Sequence, residues 1–112
     1  MQIKEKFEEN ALVIELGGEL MGGTATDEFR NVIDRAIASE NVNVIIDMAN
    51  VSWMNSSGLG MLISALTSLR SSGGDLILAN LTDRLRRPIQ ITKLDTVLKE
   101  YGTVKAALKH FD

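Results

Sequence analysis

Residues 42–60 read VNVIIDMANVSWMNSSGLG, and this stretch decides the architecture. Its first part, VNVIID over 42–47, is an apolar, β-branched run of strand length that ends on the polar Asp47. That is the pattern of a short buried strand. Residues 51–60 then join the strand to a helix that starts after Asn55. Leu59, Leu62, Ile63, Leu66 and Leu69 form its apolar stripe, and Gly73 is a natural stop. A buried strand leading through a turn into an amphipathic helix is the repeating unit of a parallel sheet with crossover connections.

Working outward, residues 2–8 (QIKEKFE) alternate apolar and polar side chains, Glu9-Asn10 can turn the chain, and 11–16 (ALVIEL) return as a second strand. The pair reads as an N-terminal hairpin. Phe29, Val32, Ile33, Ala36 and Ile37 make one helical face, with Thr26 placed to cap it and Asp27 and Glu28 suited to its first turn. The Gly pairs 17-18, 22-23 and 73-74 fall where turns belong. On the C-terminal side, 75–79 (DLILA) reads as a strand, and 82–91 as a helix that Pro88 should kink or truncate. Residues 96–98 form a short edge strand and 103–110 a last helix. The order predicts an α/β fold in which an N-terminal β-hairpin leads into a mixed, mostly parallel sheet with crossover helices. Residues 1–112 are expected to form one domain, since about 100–150 residues is the usual size of one core.

Composition narrows the function classes. The chain has 15 acidic and 12 basic side chains, a formal charge of -3, one His and no Cys. No Cys means no disulfide, no thiolate nucleophile and no Cys-ligated metal. A lone His110 leaves little for a His-ligated metal or a Ser–His pair, so no metal, cofactor or catalytic residue is expected. The acidic balance argues against nucleic acid as partner. MQIKEKFEEN carries no apolar leader, and no run approaches the ~18–20 apolar residues that span a bilayer. The expected location is therefore the cytoplasm, away from any membrane.

The adjacent hydroxyls Ser56 and Ser57 stand at a strand-to-helix turn, where α/β proteins tend to place function. Two readings apply: one of them simply caps the helix, or the turn carries a phosphate, which helix N-terminal N–H groups favour. Hydrolysis is disfavoured, because Met54 occupies the first Gly position of a G-x-S-x-G elbow and no His lies near. Gly58-Leu59-Gly60 begins a dinucleotide motif, but Ile63 stands in its third Gly position, and no P-loop occurs. A phosphoacceptor at Asp47 would need an acidic pair closing the first strand and a Lys closing the last. Glu8-Glu9 lie on a hairpin, and Asn80 follows 75–79. Arg84, Arg86, Arg87 and Lys93 read as a solvated helix face. Trp53 reads as a lid over the sheet edge; exposed, it would suit an interface.

The segment from Asn43 to Gly60 resembles the signature of STAS domains, the anti-sigma factor antagonist family: a buried strand ending in Asp, then an aromatic, Met and Asp-Ser-Ser/Ala/Thr-Gly-Leu-Gly. Gly18-Glu19-Leu20 is similar to that family's Gly-x-Leu-Asp, and Gly73-Gly74 and Ile91-Thr92-Lys93-Leu94-Asp95 match its later segments. The resemblance implies a binding module and not an enzyme. Its partner would be an anti-sigma factor that is also a Ser/Thr protein kinase. That kinase would phosphorylate Ser56, the first hydroxyl after the motif's acidic position, and so release the complex; a phosphatase would reset it. The contact turn would comprise Asn55, Ser56, Ser57, Gly58 and Leu59, with Met21, Gly22, Gly23 and Thr24 alongside. Asn55 and Met21 each replace an Asp of the family pattern, which removes negative charge from that face. Two alternatives are a non-switching scaffold assembled with other STAS proteins, and a small-ligand or nucleotide sensor using the same turn.

Overall fold

The computed structural model describes residues 1–24 and 26–112. Strands β1 (Gln2–Glu8) and β2 (Ala11–Leu20) form the expected hairpin, turning at Glu9, whose φ of 54° is left-handed. They are followed by α1 (Thr24–Ala38), β3 (Asn43–Met54), α2 (Ser56–Ser71), β4 (Asp75–Ala79), α3 (Asp83–Ile91), β5 (Glu100–Tyr101) and α4 (Val104–Leu108). The sheet order is β1-β2-β3-β4-β5, with β1 antiparallel to β2 and every other neighbour parallel. This is the α/β architecture that the pattern of residues predicts.

Alternation along the central strands sorts the core into two layers. Leu12, Ile14, Leu16, Val44, Ile46, Leu76 and Leu78 meet Phe29, Ile33, Leu62, Leu66, Leu69 and Leu85 from α1, α2 and α3 on one face. Val13, Ile45, Ile77 and Ala79 face the other way and pack on Ala107 and Leu108 of α4. Strands buried on both faces explain the nearly continuous apolar runs of β3 and β4.

Several elements differ from the sequence expectation. β2 continues through Gly17-Gly18 to Leu20, with no turn there. Helix α1 starts at Thr24 with Gly23 as its N-cap, so Thr26 lies inside the first turn. Gly22 and Gly23, at φ 86° and 70°, reverse the chain within two residues and let the helix begin early. Pro88 neither ends nor shortens α3, because its missing N–H frees only one carbonyl of an exposed turn. The edge strand is Glu100–Tyr101 rather than 96–98; residues 94–96 form a 3-10 turn entered through Lys93 at φ 62°. The last helix ends at Leu108 and tightens into a 3-10 turn over 109–111.

The consequential difference lies in β3. Its pairing with β4 ends at Asp47↔Ala79, and residues 48–54 run on beside β2 alone. Two irregularities each insert a residue: Glu15↔Asp47 is followed by Gly17↔Asn50, and Gly18↔Val51 by Glu19↔Trp53. Bulges re-aim side chains. Here they change the buried period from two to three, so Met48, Val51 and Met54 point inward while Ser52 and Trp53 point out. Asp47 anchors the first irregularity. Its Oδ1 accepts from the Ala49 N–H at 3.1 Å and from Asn80 Nδ2 at 2.9 Å.

Candidate functional site

The carboxyl ends of β2 and β3 deliver two loops to the same edge of the sheet, each opening into a helix. The β3 loop is a single residue, Asn55, which is the N-cap of α2. Its backbone N–H donates to the Leu20 carbonyl at 3.1 Å, and its Oδ1 accepts from the Gly58 N–H at 2.9 Å. Its Nδ2 donates to the Met21 carbonyl at 3.3 Å. The side chain therefore uses both ends of its amide: the oxygen caps α2 and the nitrogen holds the β2–α1 loop. An ionised carboxylate supplies only the first of these contacts, so Asn in place of the family's Asp has a local geometric consequence.

With Asn55 as cap, neither hydroxyl is the capping group. Ser56 and Ser57 are exposed, and neither hydroxyl has a hydrogen-bond partner among the described residues. Ser56 is the first residue of α2, beside N–H groups that carry the positive end of its dipole. Gly22 lies directly against Ser57: a Cβ built on Gly22 would come within 2.9 Å of Ser57 Cβ.

Gly58 and Leu59, expected in the contact turn, are buried and hold the turn from beneath. A Cβ on Gly58 would lie 2.1 Å from the Leu20 carbonyl oxygen, so only glycine allows α2 to start this close to β2. Met21, Gly23 and Thr24 are exposed and Gly22 is half-buried. Trp53 is not a core lid; it is 44% exposed, and Met21 is 48% exposed. The exposed surface of the site thus comprises Met21, Gly23, Thr24, Trp53, Ser56 and Ser57. A groove of about 520 Å³ leads away from it between α1 and α2, past Thr26, Arg30, Ser57, Gly60 and Ser64. Asp47 and Asn80 belong to the scaffold under the turn, a pairing the sequence does not announce because 33 residues separate them. Among the described residues no helix is long and apolar enough to cross a membrane.

The fold and the turn together define a small α/β module that presents helix-start hydroxyls at the carboxyl ends of β2 and β3, where Met21 and Trp53 are also exposed. Residues 2–107 match the STAS domain family, and the chain belongs to it. Among its relatives, the anti-sigma-B factor antagonist of Listeria monocytogenes is 32% identical over 99 residues, spanning 88% of this chain and 85% of the relative. The anti-sigma-B factor antagonist of Bacillus subtilis is 28% identical over 98 residues, spanning 88% of each. Among solved structures, the anti-sigma factor antagonist SpoIIAA in its unphosphorylated form superposes with a TM-score of 0.78 at 24% identity, over 98% of this chain and 97% of that one. The Bacillus protein SpoIIAA in its phosphorylated form gives 0.77 at 25% identity, over 99% and 100%. These relatives are named for a regulatory role and not for a reaction.

Proposed function

We propose that this chain is a cytoplasmic anti-sigma factor antagonist whose residues 1–112 act as one binding unit, switched by phosphorylation of Ser56. Unphosphorylated, it binds an anti-sigma factor that is also a Ser/Thr protein kinase, and so frees the sigma factor for transcription. Phosphate on Ser56 releases the complex, and a phosphatase restores it. The observation that carries this reading is the Ser56 hydroxyl, exposed and unengaged at the first residue of α2, on the same rim as Trp53 and Met21.

The physics supports the sign of the switch. A phosphate adds roughly 1.5 to 2 negative charges at neutral pH. At the start of α2 the helix dipole makes those charges tolerable within the fold. Inside a dry interface formed by Trp53 and Met21 they impose a desolvation penalty instead. Phosphorylation therefore opposes binding more than it opposes folding.

The test uses purified anti-sigma factors from the source genome and titration calorimetry. Ser56→Ala keeps the affinity of the wild-type chain, and Ser56→Asp loses about tenfold or more. Incubation with the bound factor and Mg-ATP places a phosphate on Ser56, read by site mapping on the intact protein. Equal affinities for the two variants, or binding with no phosphate transfer, refute the switch.

A further inference from the structure

We propose that the partner-binding surface continues from Trp53 onto the outer face of α3, where Arg84 and Arg87 receive an acidic patch of the anti-sigma factor. The proposal rests on the function proposed above and names the chemistry that its partner must present.

Three observations carry it. The first is continuity: Arg84 Nη1 reaches the Ser52 carbonyl at 3.5 Å, so this guanidinium lies beside the strand segment that turns Trp53 outward. The second is facing. Arg84, Arg87 and Ile91 are spaced i, i+3 and i+7 and lie together on one side of α3, while Leu85 and Ile89 are buried on the other. Ile91 is 73% exposed, which gives the patch an apolar far edge.

The third is charge. The chain carries a net charge of -3, yet on this face Arg84, Arg86 and Arg87 outnumber the acids beside them, Asp83 and Glu100. Arg86 is the arginine of α3 that is neutralised: it bridges Glu100 at 2.7 Å and also holds Asp83. Among the described residues neither Arg84 nor Arg87 has a carboxylate partner. Both line a shallow cleft with Asp83, Arg86 and Gln90, and the one carboxylate there is already engaged by Arg86. On the neighbouring turn, Asn55 and Met21 are uncharged. The rim from Ser56 to Ile91 therefore offers the exposed Trp53 and Ile91 flanked by two guanidinium groups that lack a carboxylate partner among the described residues, with Glu19, the register neighbour of Trp53, as the exposed acid at its β2 side. That combination fits a protein surface with an apolar pocket bordered by Asp or Glu, which an arginine binds through two parallel hydrogen bonds. Rim charges of this kind act chiefly on association rate and salt dependence.

The experiment compares two double charge reversals that change net charge equally. Arg84→Glu with Arg87→Glu alters the proposed patch; Lys105→Glu with Lys109→Glu alters α4 and the 3-10 turn that follows it, on the opposite face of the sheet. Thermal unfolding first confirms that both fold. Binding is then measured against the anti-sigma factor that the wild-type chain binds, at several salt concentrations. The α3 variant loses about tenfold or more at low ionic strength, mainly in association rate, and the gap narrows as salt rises. The α4 variant stays within about twofold of wild type. An α3 variant that binds as wild type overturns the proposal, as does an equal loss in both variants, which reports net charge alone. Wild-type self-association, or wild-type binding to phosphatidylserine vesicles, that only the α3 variant abolishes assigns the patch to another occupant and overturns it too. A wild-type chain that binds no anti-sigma factor refutes the proposed function, an outcome distinct from any of these.

Discussion

Replacing Gly58 by alanine tests the geometry that creates the site. The added Cβ would lie 2.1 Å from the Leu20 carbonyl oxygen, 2.8 Å from its carbon and 2.9 Å from Leu20 Cβ. An ordinary contact begins near 3.4 Å, so the start of α2 must retreat from β2 by about 1.3 Å, the difference between 3.4 and 2.1. The obstacle is backbone, which cannot rotate away. Overpacking of this kind costs about 1–3 kcal/mol. The retreat also strains the Asn55 N–H bond to that same Leu20 oxygen, worth about 1 kcal/mol more. Alanine's better helix propensity offsets about 0.8–1 kcal/mol. The net loss is about 1–3 kcal/mol, which at roughly 4–8 °C per kcal/mol for a domain near this size lowers the midpoint by about 4–24 °C.

The control lies two residues along the same helix. Gly60 has nothing within 4 Å of its built Cβ, and its backbone is that of α2. Gly60→Ala should therefore stabilise by about 0.5–1 kcal/mol. Urea unfolding with a common slope measures both. If Gly58→Ala unfolds at the same urea concentration as Gly60→Ala, close approach of α2 to Leu20 does not govern the turn and the reasoning fails.

Substitutions at two further positions separate scaffold from surface. Asn55→Ala removes the cap on Gly58 N–H and the bond to the Met21 carbonyl, and should lower stability by about 1–2 kcal/mol in urea unfolding; Asn55→Asp keeps the cap and should stay within about 1 kcal/mol of wild type. A fully stable Asn55→Ala protein would show that the amide holds nothing. Trp53→Ala should change folding stability by no more than about 1 kcal/mol, because the ring is 44% exposed. Calorimetry should show the same variant weakening partner binding by about 2 kcal/mol, the size of an interface hot spot. The reverse pattern would return Trp53 to the core.

The sequence of residues 42–60 was sufficient for the step from β3 into α2, because strand and helix periodicities are local and strong there. Local chemistry was less reliable where two groups compete for one role. Thr26 looks like a helix cap, but Gly22 and Gly23 turn the chain so tightly that α1 begins at Thr24. Pro88 looks like a helix end, but an exposed helix tolerates one free carbonyl. The cap of α2 fell to Asn55 and left both Ser hydroxyls free, a choice between neighbours that no spacing rule decides.

The sequence by itself determined the α/β layering, the N-terminal hairpin and the turn that carries Ser56. Each rests on the fit between side-chain period and backbone period within about fifteen residues. Only the tertiary structure decided which groups on that turn are available. Two inserted residues in β3 rotate Trp53 outward, and the Leu20 carbonyl fixes where α2 may begin. The Asn55 amide joins two loops 34 residues apart, and Arg84 is brought beside Ser52 across 32. Register irregularities and contacts between distant segments leave no period in the chain, so they become visible only when the strands are laid side by side.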